Sequence, residues 1–187
     1  MIKIDKDITI MVISDLHGNL PAARRAAELA AEEKADIFIT CGDNYYHGIR
    51  NPVTDGYAPM ETANLLNGLD VRILAVKGNC DSEVDQMVSR FRMKREISLL
   101  YNGRVYLFTH GHKFNMSNPP VKPFDVLVYG HEHVGYVKKS GGRIFANAGS
   151  MSLPKYNSAK SYIVINKEGL FLKSAEDKSV IEKVLYE

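Results

Sequence analysis

Residues 8–43 read ITIMVISDLHGNLPAARRAAELAAEEKADIFITCGD, and this stretch decides the fold. ITIMVIS is β-branched or apolar up to its serine, the pattern of a strand buried on both faces. Asn19-Leu20-Pro21 then opens a helix, since Asn caps well and an early Pro suits the first turn. Residues 21–33 are rich in Ala, Leu and Glu, as a helix requires. DIFIT at 36–40 is a second buried strand and ends in Cys41-Gly42-Asp43. Strand, helix, strand predicts a parallel pair joined by a right-handed crossover.

Working outward, residues 44–58 form a long loop with Gly48, Pro52 and Gly56. Pro59 starts a helix through about Gly68. VRILAV at 71–76 is a third strand, and a helix is expected from Asp81 to Arg90. The densest basic patch, Arg90 to Arg95, reads as a solvated helix end and its turn. EISLLYNGRVYLFTH is a hairpin turning at Asn102-Gly103. Residues 113–123 are a proline-containing loop, and DVLVY at 125–129 is a strand stopping at Gly130. Two further hairpins turn at Ser140-Gly141-Gly142 and Lys167-Glu168-Gly169, and residues 177–185 read as a short closing helix. The order predicts two packed mixed sheets flanked by helices, as a single domain over residues 1–187.

Composition narrows the class. The 187 residues are 45% hydrophobic and 25% charged, which excludes disordered and fibrous chains. No apolar run approaches the ~18 residues of a membrane span. The N-terminal stretch lacks a signal-peptide pattern, so the expected location is cytoplasmic. The 24 Lys and Arg against 22 Asp and Glu are scattered, so a nucleic-acid partner is not expected. Two cysteines make no disulfide framework.

The chemistry follows the strands. After VIS comes Asp15-Leu16-His17; after FIT, Cys41-Gly42-Asp43; after LAV, Lys77-Gly78-Asn79. After YLF comes Thr109-His110-Gly111-His112, and after LVY, Gly130-His131-Glu132-His133. Each motif alone is weak, since D-x-H and G-D are common in turns and caps. Five strand ends delivering Asp, His and Asn to one rim are not explained that way, and that rim is where open α/β sheets bind ligands. Imidazole, carboxylate and an Asn carbonyl favour manganese, iron, zinc or nickel over calcium. The donors exceed one ion's needs and suit two ions sharing a carboxylate. Two divalent ions against two aspartates leave about +2, a charge that suits phosphate.

The series SDLHGN, CGDN, KGNCD, THGH and GHEH resembles the calcineurin-like metallophosphoesterases. GYAP at 56–59, GNCDSEVDQM at 78–87, DVLVYGHEH at 125–133 and GSMSLPK from Gly149 resemble the YfcE-type phosphodiesterases more closely. The resemblance implies a four-layer α/β/β/α sandwich. It implies one metal on Asp15, His17, Asp43 and His133, and another on Asp43, Asn79, His110 and His131, with Asp43 bridging. It further implies two divalent ions, most often Mn²⁺ with Zn²⁺, Fe²⁺ or Ni²⁺ as alternatives, and hydrolysis of a small-molecule phosphodiester by a bridging hydroxide. A phosphomonoesterase, a nuclease and a non-catalytic scaffold like the retromer subunit of this superfamily are the alternatives. Homodimers and homotetramers occur among such proteins, and the sequence does not choose.

Cys80 departs from the GNHD of the wider superfamily, where the histidine is thought to protonate the leaving group. His112 and His47 are therefore the candidate general acids, unless good leaving groups need none. Cys80 also reads as a redox-sensitive thiol near the metals, and Cys41 as a buried small hydrophobe. The 44–58 loop, with Tyr45, Tyr46, His47 and Arg50, is expected to border the substrate, with Arg50 on a phosphate oxygen.

Overall fold

The computed structural model describes residues 1–186. In chain order the strands are β1 (Ile2–Ile4), β2 (Ile10–Ile13), β3 (Ile37–Thr40), β4 (Arg72–Val76), β5 (Met93–Lys94), β6 (Ile97–Tyr101) and β7 (Arg104–Phe108). They continue as β8 (Val126–Tyr129), β9 (Gly135–Ser140), β10 (Arg143–Ala148), β11 (Ser161–Ile165), β12 (Gly169–Ser174) and β13 (Val180–Leu185). The helices are α1 (Leu20–Glu32), α2 (Pro59–Asn67) and α3 (Glu83–Val88).

One sheet has the order β13-β12-β11-β2-β3-β4-β5, the other β1-β6-β7-β8-β10-β9. Strands β2 to β5 are parallel neighbours, as the opening stretch predicts. In the other sheet β7 and β8 are also parallel. Both sets therefore send their C-terminal ends to a common rim.

Alternation along β2 shows how the layers form. Ile10 and Val12 face inward, packing with Ile37, Ile39, Tyr106, Phe108 and Val128 between the sheets. Met11 and Ile13 face outward, against Ala22, Ala23, Ala26 and Leu29 of α1. A period of two thus serves both faces of one buried strand. Alanines on α1 let the helix sit close to the sheet. Its N-cap is Asn19, whose side chain accepts from the Ala22 N–H at 2.8 Å. The outer face of the six-stranded sheet is covered by Phe124 and Met116 from the 113–124 loop, packed on Leu127 and Phe145. The expected sandwich is present in its two mixed sheets and its helical face; its far layer is built by this loop.

Three expectations need correction. Residues 177–185 are not a helix: Val180–Leu185 form β13, antiparallel to β12. β-branched Val180 and Ile181 suit the strand, and Glu182 accepts the Val137 N–H at 2.6 Å, tying the sheets together. The 90–95 patch is more than a solvated turn, because Met93–Lys94 form the edge strand β5 and Met93 is buried. The helix expected from Asp81 starts at Glu83, because Ser82 caps it in a reciprocal box with Asp85 and Asp81 is used elsewhere.

Candidate metal centre

Asp15 and His17 follow β2, Asp43 follows β3, Asn79 follows β4, His110 follows β7, and His131 and His133 follow β8. All seven expected ligands converge. His133 Nε2 lies 3.2 Å and His17 Nε2 3.5 Å from Asp15 Oδ1, and the two imidazole nitrogens are 3.2 Å apart. Beside this group, His110 Nε2 lies 3.3 Å from Asp43 Oδ2, 3.2 Å from His131 Nδ1 and 3.0 Å from Asn79 Oδ1. Asp43 Oδ2 is also 4.0 Å from His17 Nε2, so its carboxylate stands between the two groups.

The imidazoles are aimed by the backbone. His17, His110 and His133 each place Nδ1 on a carbonyl, of Tyr46 at 2.8 Å, Cys41 at 2.8 Å and Leu153 at 2.6 Å. A carbonyl only accepts, so Nδ1–H donates and Nε2 is the ring nitrogen turned into the cradle. Asp15 Oδ2 accepts the His131 N–H at 2.8 Å, whereas the fully buried Asp15 Oδ1 faces the Nε2 atoms of His133 and His17 and no backbone donor. A buried carboxylate oxygen ringed by imidazole nitrogens is a donor set that fits a divalent cation.

The local backbone is strained to achieve this. Asp15, His17, Asp43, His131 and His133 all have left-handed φ, between 49° and 68°. Short range favours it, since Asp and His tolerate this region better than most residues. Long range enforces it: Asp15 N–H donates to Gly42 O at 3.0 Å and His17 N–H to Asp43 O at 2.9 Å. The hydroxyls of Ser150 and Ser152 both donate to Asp15 O, at 2.7 and 2.9 Å. Gly78 and Gly130 sit so close to the carboxylates that a Cβ on either would overlap Asp43 Oδ1 or Ser14 Oγ.

Burial by itself would raise both carboxyls and lower the imidazoles. Hydrogen bonds from His133 and His17 and the charges of His110 and His133 reverse this for Asp15, and the hydrogen bond and charge of His110 do so for Asp43, so both lie below the usual carboxylate range. Burial would likewise lower His110, but Asp43 and Asp15 outweigh it and push it up to about 9. His131, desolvated and beside His110, is pushed down to about 4.

Sequence reasoning missed Asp81. Its buried carboxylate accepts the N–H groups of Asp43, Asn44 and Gly78 at 2.7 to 2.9 Å, clamping the loops after β3 and β4 together. The final letter of GNCD was the only signal. Cys80 Sγ lies near His17 and Asp43. Burial and the charge of Asp43 push its thiol up to about 12, so it remains protonated.

A cavity of ≈ 1110 Å³ opens on the cradle and is bordered by Tyr46 and Arg50 of the 44–58 loop. Tyr45 is not at the substrate side: it is buried, with its hydroxyl 2.8 Å from Ser89 Oγ. Neither candidate acid borders the cavity. His47 packs between Tyr46 and Tyr57, and His112 is exposed with its ring 5.4 Å from that of His110.

Comparison with known proteins agrees with this geometry. The chain is 40% identical to phosphodiesterase YfcE of Escherichia coli K12, over 94% of this chain and 96% of that protein. It is 27% identical to the probable metallophosphoesterase YsnB of Bacillus subtilis, over 86% of this chain and 85% of the relative. The solved structure of the E. coli phosphoesterase YfcE superposes with a TM-score of 0.92 at 37% identity, covering 96% of this chain and all of that one. Zinc-complexed Vps29 from Entamoeba histolytica shares the fold, with a TM-score of 0.65 at 20% identity over 96% of this chain and 100% of that one. Residues 8–169, which carry every one of the seven converging side chains, match the calcineurin-like phosphoesterase superfamily domain, and the chain belongs to that superfamily.

Proposed function

We propose that this protein is a phosphodiesterase that works with two divalent metal ions, manganese first among them, on a small-molecule diester. The observation that carries the reading is the position of Asp43, whose Oδ2 lies within reach of His110 on one side and His17 on the other. Asp15, His17, Asp43 and His133 would hold one ion, and Asp43, Asn79, His110 and His131 the other. Bound there, such ions supply Lewis acidity to phosphoryl oxygens and make water acidic enough to attack near neutral pH. The chain's own residues do the rest. Backbone carbonyls hold the imidazoles in one tautomer, Asp81 fixes the Asp43 loop, and Arg50 borders the cavity where a phosphate oxygen would lie. Solvent protonates the leaving group, a reading supported by an open cavity that neither His47 nor His112 borders.

The whole of residues 1–187 is proposed as one domain, supported by β1 and β13 joining different sheets of one sandwich. A cytoplasmic location belongs to the same proposal and is supported by two free cysteines. Hydrolysis of bis(4-nitrophenyl) phosphate against 4-nitrophenyl phosphate, with added Mn²⁺, tests the function. The diester is expected to turn over with the higher kcat/KM. Preference for the monoester would make it a phosphomonoesterase, and metal binding without turnover of either would leave a scaffold.

A further inference from the structure

The cavity is far larger than one phosphate needs, and about the size of a whole ligand site. Beyond the metal cradle it is bordered by Arg50, Lys138 and Lys155, with Glu132 as the one carboxylate among them. Building on the phosphodiesterase reading, we propose that the substrate carries a second phosphoryl group, seated on Lys138 and Lys155 with Arg50 beside them, and a flat organic moiety against Tyr46, Tyr136 and Tyr156.

Charge selects the second group. Three cations and one carboxylate leave +2, which matches the ≈ −1.5 to −2 of a phosphate monoester better than the single charge of a carboxylate. Among the described residues, none of the three cations has a carboxylate within ion-pair distance, although the charge of Lys138 is felt at Glu132. Lys138 is steadied by a ring instead: its Nζ lies 4.8 Å over Tyr136, two residues back and so on the same face of β9.

Lys155 is placed by the metal loop itself. Its N–H donates to the His133 carbonyl at 3.0 Å, and Ser158 returns through its N–H and its hydroxyl to the Lys155 carbonyl, at 3.0 and 2.7 Å. Within this closed turn Tyr156 and Asn157 have left-handed φ of 53° and 59°. Tyr156 is 90% exposed, so no core packing explains an aromatic residue in a conformation that bulky side chains avoid. A rigid turn that holds a lysine and a tyrosine at the lip, tied to a ligand-bearing loop, is built to position the part of a substrate that does not react.

Two matched esters test this at fixed ionic strength with the Mn²⁺-loaded enzyme: thymidine 5′-(4-nitrophenyl phosphate), and the same ester with a 3′-phosphate. Both release the same phenol, so the ratio of their kcat/KM values reads only the added group. The 3′-phosphorylated ester is expected to be favoured by about tenfold or more, a preference lost in the K138Q/K155Q variant and kept in K139Q, whose side chain alternates to the other face of β9. Equal wild-type values, a preference surviving in K138Q/K155Q, or equal loss in K139Q would overturn the proposal. Calorimetry with thymidine 3′,5′-bisphosphate and thymidine 5′-monophosphate reads the same preference without turnover, and equal affinities would overturn it too. Turnover of bis(4-nitrophenyl) phosphate with no preference between the esters removes this inference alone; no turnover of any diester removes the parent reading.

Discussion

Two regions of this molecule share one unusual backbone state. At the rim, Asp15, His17, Asp43, His131 and His133 have positive φ; on surface turns, Lys34, Asn102 and Lys178 do as well. The surroundings differ. Rim residues are locked by buried bonds from distant strands, such as Ser150 and Ser152 on Asp15 O. Lys34 sits exposed just past α1 with a local N–H bond to Ala31 O at 3.1 Å. Strain is tolerated on the surface because little depends on it; at the rim it is over-determined and aims donor atoms.

The comparison can be broken most directly at Asp43. Asp43→Asn keeps the shape and removes the shared charge, and is expected to lower Mn²⁺-dependent kcat/KM on bis(4-nitrophenyl) phosphate by more than ~100-fold, beyond the range of outer-shell changes. Wild-type-like kinetics would detach the strained rim from the chemistry. Gly78→Ala keeps every candidate ligand residue but forces Asp43 to shift, since the added Cβ would overlap its Oδ1. A loss of Mn²⁺ affinity of about 10–100-fold is expected in equilibrium titration. Ser152→Ala leaves Asp15 O with the Ser150 donor only; urea unfolding should show a loss of about 1 kcal/mol. Lys34→Gly is the smallest effect and has the opposite sign: a gain of up to about 1 kcal/mol with kinetics unchanged, because glycine adopts left-handed φ freely at this C-terminal position. Destabilisation there would mean that the surface turn is also held from outside.

The same contrast explains what the sequence made legible. The seven candidate ligands were readable because each follows an apolar run directly, so strand and motif announce each other. Asp81 was not, since its partners Asp43 and Asn44 lie 38 and 37 residues away and only the fold brings them together. Tyr45 and Tyr46 look alike in sequence; one joins the core and one borders the cavity, a choice set by packing against the helical layer. Residues 180–185 place apolar side chains at spacings that suit a helix as well as an edge strand, and the free edge of β12 decides for the strand. Lys155 closes the GSMSLPK stretch but Lys138 and Tyr156 lie in no motif, so nothing short of the cavity could group the three.

Anomalous diffraction from a crystal soaked in Mn²⁺ tests the central claim most directly. Two peaks about 3.5–4 Å apart, one on each side of the Asp43 carboxylate, are the expected result. A single peak away from Asp43, or none, would contradict the account.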